Sequence, residues 1–235
     1  MRFVEFKKIP RLSREILVSE KIDGSNGQIV IMTKEKIILE CENCDYTSQD
    51  FIDKFCLYIH PENPHVEEKD KLYIFAASRN RWLNVGKQND NHAFAYWVKE
   101  HACELVMLGE GRHFGEWYGK GIQRGYGLEE KRWALFNVSK WHDKNHEKVL
   151  ISINEKTGEE KYTTQCPDCC EVVPTLYDGM FDTQMIDVVL HQLQREGSRA
   201  VPGYNLPEGI VIYHTAAGQY FKKTLANDAG KNEKA

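Results

Sequence analysis

Lys21 lies in the stretch Ser19-Glu20-Lys21-Ile22-Asp23-Gly24-Ser25-Asn26, just ahead of an Asp-Gly turn. Apolar Val18 and Ile22 flank it, and Gln28 to Met32 follow as an apolar run of strand type. The pattern predicts strand, turn, strand, with Lys21 projecting near the turn. A lysine beside a turn is ordinarily a solvated surface residue. It becomes a nucleophile only with the right company. Attack by an amine on a nucleoside triphosphate needs the amine deprotonated. It also needs a divalent metal on the phosphates, held directly or through water by a carboxylate. An aromatic face should stack the base, further cations should hold the α-phosphate, and a carboxylate or amide should accept the sugar hydroxyls.

The chain carries each of these residue types beside a predicted strand. Glu116 lies in Phe114-Gly115-Glu116-Trp117-Tyr118-Gly119, and Phe136 in Trp133-Ala134-Leu135-Phe136-Asn137-Val138. Glu208 opens Glu208-Gly209-Ile210-Val211-Ile212, and Lys222 and Lys223 sit in Tyr220-Phe221-Lys222-Lys223-Thr224. Singly, each has an ordinary explanation: a solvated carboxylate, a core phenylalanine, a wet strand edge. Their order is what gives them weight.

That order resembles the covalent nucleotidyltransferase superfamily of ATP-dependent polynucleotide ligases and capping enzymes. Lys21-Ile22-Asp23-Gly24 is similar to its Lys-x-Asp/His-Gly motif, and Arg79 in Ser78-Arg79-Asn80 to the arginine motif that follows. The nearest branch is the RNA ligases typified by phage enzymes that seal nicked double-stranded RNA. Asn26 matches that branch, whereas Asp23 is the residue DNA ligases carry, so RNA and DNA preference both stay open. The resemblance spans about residues 15 to 225. It implies that Lys21 accepts the nucleotide, that Glu116 contacts ribose and that Phe136 stacks on adenine. Glu20, Ile22, Asn26 and Arg79 would complete the nucleotide site. Glu208 would serve the metal, and Lys222 or Lys223 the α-phosphate. The implied cofactors are ATP and Mg2+ or Mn2+. The implied partner is RNA, as a nicked duplex or a DNA/RNA hybrid. The alternatives are a minimal ATP-dependent DNA ligase, a GTP-using capping guanylyltransferase and a non-catalytic nucleic-acid-binding relative.

The elements that must position these residues read as α+β. Several strand runs alternate with two helical stretches, His92 to about Met107 and a helix capped by Asp182 and ended by Gly197. The resemblance implies an ATP-grasp-like nucleotidyltransferase (DNA/RNA ligase adenylation) domain, with antiparallel sheets flanked by helices. Lys36 to Cys41 reads as a further strand. Residues 42–70 and 140–168 are polar excursions. A single domain over 1–235 is expected, with no C-terminal accessory module and a protein partner in its place.

Composition limits the rest. The formal charge of −4 means that any nucleic acid must meet a local basic face. No stretch approaches the ~20 apolar residues of a membrane span, and no signal-peptide core is present, so a cytoplasmic setting without membrane partners is expected. If the gene is phage-borne, that is the host cytoplasm. Seven cysteines suit free thiols or metal better than disulfides. Cys41-x-x-Cys44 and Cys166-x-x-Cys169 have zinc-knuckle spacing, and would hold a structural zinc if their loops met.

Overall fold

The protein is described by a computed structural model covering residues 8–42, 45–63, 65–86, 88–154 and 157–226. It is α+β, and the chain divides into two compact units. One unit combines residues 1–22 with 173–235, and the other holds residues 23–172. The sequence expectation of one domain over 1–235 thus meets a chain whose two ends build a unit together. The division falls between Ile22 and Asp23, inside the lysine motif.

The first unit is a four-stranded antiparallel sheet with one helix. Its order is Thr175–Met180, Glu15–Lys21, Gly209–His214, Gln219–Thr224. Alternation gives the sheet two distinct faces. Ile16, Val18, Ile210 and Ile212 pack against Ile186, Val189, Leu190 and Leu193 of the helix Thr183–Glu196. That helix starts where the sequence places it: the Asp182 side chain accepts a hydrogen bond from the Gln184 amide. It ends at Gly197, whose φ of +84° suits glycine.

The second unit is built on a seven-stranded sheet. Its order is Glu171–Val172, Lys131–Leu135, Gly111–Gly119, Ser25–Thr33, Leu72–Ser78, Tyr58–His60, with Trp82–Leu83 pairing on Leu72–Ser78. The pairs are antiparallel except for Glu171–Val172, which runs parallel to Lys131–Leu135. The central strand Ser25–Thr33 is covered on both faces, which accounts for its continuous apolar run. Ile29 and Ile31 belong to a core with Phe94, Ala95 and Val98. Val30 and Met32 face Ile37, Phe51, Ile52 and Phe55.

Two expectations are corrected here. Lys34–Cys41 is a helix, not a strand. Only Ile37 of its apolar residues is buried, while Ile38 and Leu39 are 46% and 56% exposed, so the apolar run is not a strand's inward face. The stretch from His92 to Met107 is not one helix. It divides at His101, with φ −101° and ψ 12°, into Phe94–Glu100 and Ala102–Leu105, and a 3-10 turn Val106–Leu108 follows.

Candidate active site

In the first unit, Lys21 is the last residue of its strand, opposite Gly209 in register. Its Nζ donates to the Glu208 carboxylate as a partly buried ion pair. Lys21 lies on the sheet face away from the helix, the opposite face to Ile16 and Val18. Register then separates the two neighbouring lysines. Lys222 pairs opposite Val211, which pairs opposite Ser19, so Lys222 shares the Lys21 face. Lys223 pairs opposite Ile210, on the helix face, and its Nζ is held by Asp187 of Thr183–Glu196. Register therefore puts Lys222, and not Lys223, on the sheet face that presents Lys21. The partner position of the family's Lys-x-Lys pattern on that face is occupied by Thr224 or Tyr220, not lysine.

Glu20 immediately precedes the strand-end lysine. Expected among the nucleotide-binding residues, it is only 1% exposed and lies on the helix face. Its carboxylate accepts from the Ser198 hydroxyl at 2.6 Å and from the Arg199 and Ala200 amides at 2.7 and 2.9 Å. Burial raises its pKa, and those three hydrogen bonds partly oppose the rise. Ile22 is likewise buried, at 3% exposure. The Glu20 side chain ties the strand end that carries Lys21 to residues 198–200. The Ser198–Ala200 turn has no sequence signature that would have paired it with Glu20.

The donor set around Lys21 suits one kind of metal. Among the described residues no group of three or more His, Cys, Asp or Glu side chains converges on a metal-sized space. Glu20 is fully committed, and the Glu208 carboxylate is the one that meets Lys21 Nζ. One carboxylate fits Mg2+ or Mn2+ held mainly by water and substrate phosphates, not a cage that binds metal alone.

The second unit carries the remaining motif residues. Asn26 pairs opposite Glu116 in register. Asn26 Nδ2 donates to Glu116 Oε2 at 2.7 Å, and the Gly24 amide donates to Oε1 at 3.1 Å. Arg79 Nε donates to Asn26 Oδ1 at 2.9 Å, so one asparagine links the arginine to the carboxylate. Gly24 is required by close approach: a Cβ there would lie 2.4 Å from the Trp117 carbonyl oxygen. Asp23 is fixed from both ends. Its amide donates to the Tyr126 hydroxyl at 2.8 Å, and its carboxylate accepts from Arg124 Nε at 2.9 Å. The glycine-rich loop at 119–127 thus braces the Asp-Gly turn, a role the sequence does not reveal. Phe136 follows the strand Lys131–Leu135 and is 36% exposed, so its ring is not part of the core.

Among the described residues, Cys41 is not brought together with Cys166 and Cys169. Cys44 lies outside the described residues. Cys41 packs on the sheet face of Val30 and Met32, whereas Cys166 and Cys169 belong to the core on the face of Ile29 and Ile31. Burial pushes the Cys166 thiol up to about 12.

The first unit thus presents a strand-end lysine held by a carboxylate, with a second lysine on the same sheet face. The chain matches the family model for RNA ligase over residues 14–224 and belongs to the RNA ligase family. No curated protein matches it. Three solved structures match, all of RNA ligases from Naegleria gruberi carrying a lysine-to-alanine substitution. One is an apo form at 16% identity, covering 90% of this chain and 50% of that one, with a TM-score of 0.47. The others, with ATP and manganese, also show 16% identity and a TM-score of 0.47. They cover 90% and 91% of this chain and 49% and 50% of theirs. The chain therefore spans about half the length of those proteins. Among the described residues no helix is long and apolar enough to cross a membrane.

Proposed function

We propose that the chain is an ATP-dependent RNA ligase in which Lys21 becomes transiently adenylylated. The observation that carries this reading is Lys21 at its strand end, paired with Glu208 and sharing a sheet face with Lys222. Membership of the RNA ligase family supports RNA over DNA as substrate.

Attack requires a free electron pair on Lys21 Nζ, which the Glu208 carboxylate engages in the resting arrangement. The ion pair must open and the proton must leave before attack. Lys21 Nζ then bonds to the α-phosphorus of ATP, the bond to the bridging oxygen breaks, and pyrophosphate departs. Lys222 faces the charge that develops on the α-phosphate oxygens. Glu208 and the phosphates would hold a Mg2+ or Mn2+ ion, which when bound neutralises triphosphate charge and favours release of pyrophosphate. Glu116, braced by Asn26 and Gly24, would accept from ribose hydroxyls, and the exposed Phe136 ring would stack on adenine. An RNA 5′-phosphate oxygen next takes the adenylyl group from Lys21. A 3′-hydroxyl then displaces AMP and closes the phosphodiester. Most of the protein's contribution is position and charge.

The test is incubation with α-labelled ATP and a divalent metal, followed by denaturing electrophoresis. A labelled protein band is expected, with no band when GTP replaces ATP. Wild-type protein that stays unlabelled with magnesium and with manganese contradicts the proposal.

A further inference from the structure

The face that presents Lys21 and Lys222 continues along the same strands to two tyrosines. Tyr213 and Tyr220 are directly opposite in register, one position pair beyond Val211 and Lys222. Their rings sit 4.6 Å apart between centroids, tilted by 35°. A cross-strand aromatic pair commonly steadies a hairpin, and half-buried Tyr213 serves that role. Tyr220 goes further than the role requires, because it remains 66% exposed. Among the described residues neither hydroxyl has a hydrogen-bond partner, so no polar contact within the described fold fixes the rings in place. Lys222 is exposed on the neighbouring row, and among the described residues no carboxylate pairs with it. The nearest opposing charge in the row of tyrosines is Asp178, two strands away from Tyr213 across Leu17.

An exposed aromatic face beside an uncompensated cation is the chemistry that holds single-stranded nucleic acid: the ring stacks on a base and the cation meets the backbone. The strand geometry sets the scale. Leu17, in the row of tyrosines, is four residues from Lys21, or about 14 Å at the ordinary rise of a strand.

We infer that Tyr213 and Tyr220 form a stacking platform for an unpaired base of the RNA strand whose end is delivered to Lys21. The inference rests on the RNA ligase reading but is separable from it. Labelling of the protein by ATP requires no RNA, whereas the platform acts only when RNA is bound.

The experiment measures two quantities on the same proteins. Affinity for a 5′-phosphorylated single-stranded oligoribonucleotide is read by fluorescence anisotropy, and labelling by α-labelled ATP is read without RNA. Stacking contributes about 1–3 kcal/mol per base, so Tyr220→Ala should weaken RNA binding roughly 5- to 150-fold. Tyr220→Phe should stay within about twofold of wild type. Tyr220→Leu, which retains apolar area on the strand but no aromatic face, should lose affinity as the alanine variant does and shows that the loss is not unfolding. A fully paired, blunt-ended RNA duplex should show little of this loss. RNA affinity unchanged in both Tyr220→Ala and Tyr220→Leu overturns the platform even if ATP labelling is robust. Loss of ATP labelling in the folded leucine variant also overturns it, because the tyrosines would then serve the nucleotide. Absence of labelling in the wild type would instead strike the ligase reading.

Discussion

Replacing Glu20 tests how the strand end carrying Lys21 is held. Glu20→Ala removes the acceptor for the Arg199 and Ala200 amides and for the Ser198 hydroxyl. The hydroxyl can turn elsewhere, but the two amides cannot. Each orphaned buried donor costs about 1–3 kcal/mol. Arg199 is exposed at its side chain, so water can reach part of this turn and the lower half of the range applies. The expected loss is about 3 kcal/mol. Denaturant titration should show a lower midpoint, and hydrogen exchange should speed specifically at the amides of residues 199 and 200. ATP labelling should fall as well, because the strand end is no longer fixed. The pH dependence gives a second check. Burial raises the folded pKa of Glu20, so its contribution to stability is fully present below its unfolded value near 4.5 and is lost as pH rises through the folded value. Glu20→Gln removes that titration. Its stability relative to wild type should therefore improve from pH 4 to pH 7. A gap that is constant with pH, or that moves in favour of wild type, would refute the claim that burial dominates at this residue. Unchanged exchange at residues 199 and 200 in the alanine variant would refute the anchoring itself.

Three further outcomes follow from the geometry. Lys222→Ala should slow ATP labelling by about 100-fold, as loss of a charge-stabilising donor does, while Lys223→Ala should label nearly as wild type. Asn26→Asp should be worse for labelling than Asn26→Ala, because it sets a second carboxylate against Glu116 while Asn26→Ala only removes a brace. Cys166, buried with its thiol pushed up to about 12, should resist alkylation of the folded protein at pH 8, whereas exposed Cys103 should react first; mass mapping of modified peptides decides the order.

The placement of the motif residues beside strands is legible in the sequence because the motifs are short and sit at strand ends. Lys21, Asn26, Arg79, Glu116 and Glu208 fall beside strands where the alternation places them. The helix Thr183–Glu196 is announced by both its cap and its terminal glycine. What escapes is long-range pairing. Nothing in the local sequence says that Glu15–Lys21 lies between Thr175–Met180 and Gly209–His214, so the unit built from both chain ends stays hidden. The same gap conceals why Glu20 is buried, since its partners are nearly 180 residues away. The facing of Lys222 and Lys223 is different. It was readable from alternation once the turn before Gln219 was placed, because adjacent strand residues face opposite ways. Lys36–Cys41 reads as a strand in sequence because two exposed apolar residues, Ile38 and Leu39, imitate a strand's buried run.

The most direct measurement of the central claim is peptide mapping after incubation with ATP and magnesium. The account predicts one acid-labile adenylyl group, on the peptide containing Lys21, that is discharged by pyrophosphate and absent in Lys21→Ala. An adenylyl group on any other residue, or one that persists in Lys21→Ala, would contradict it.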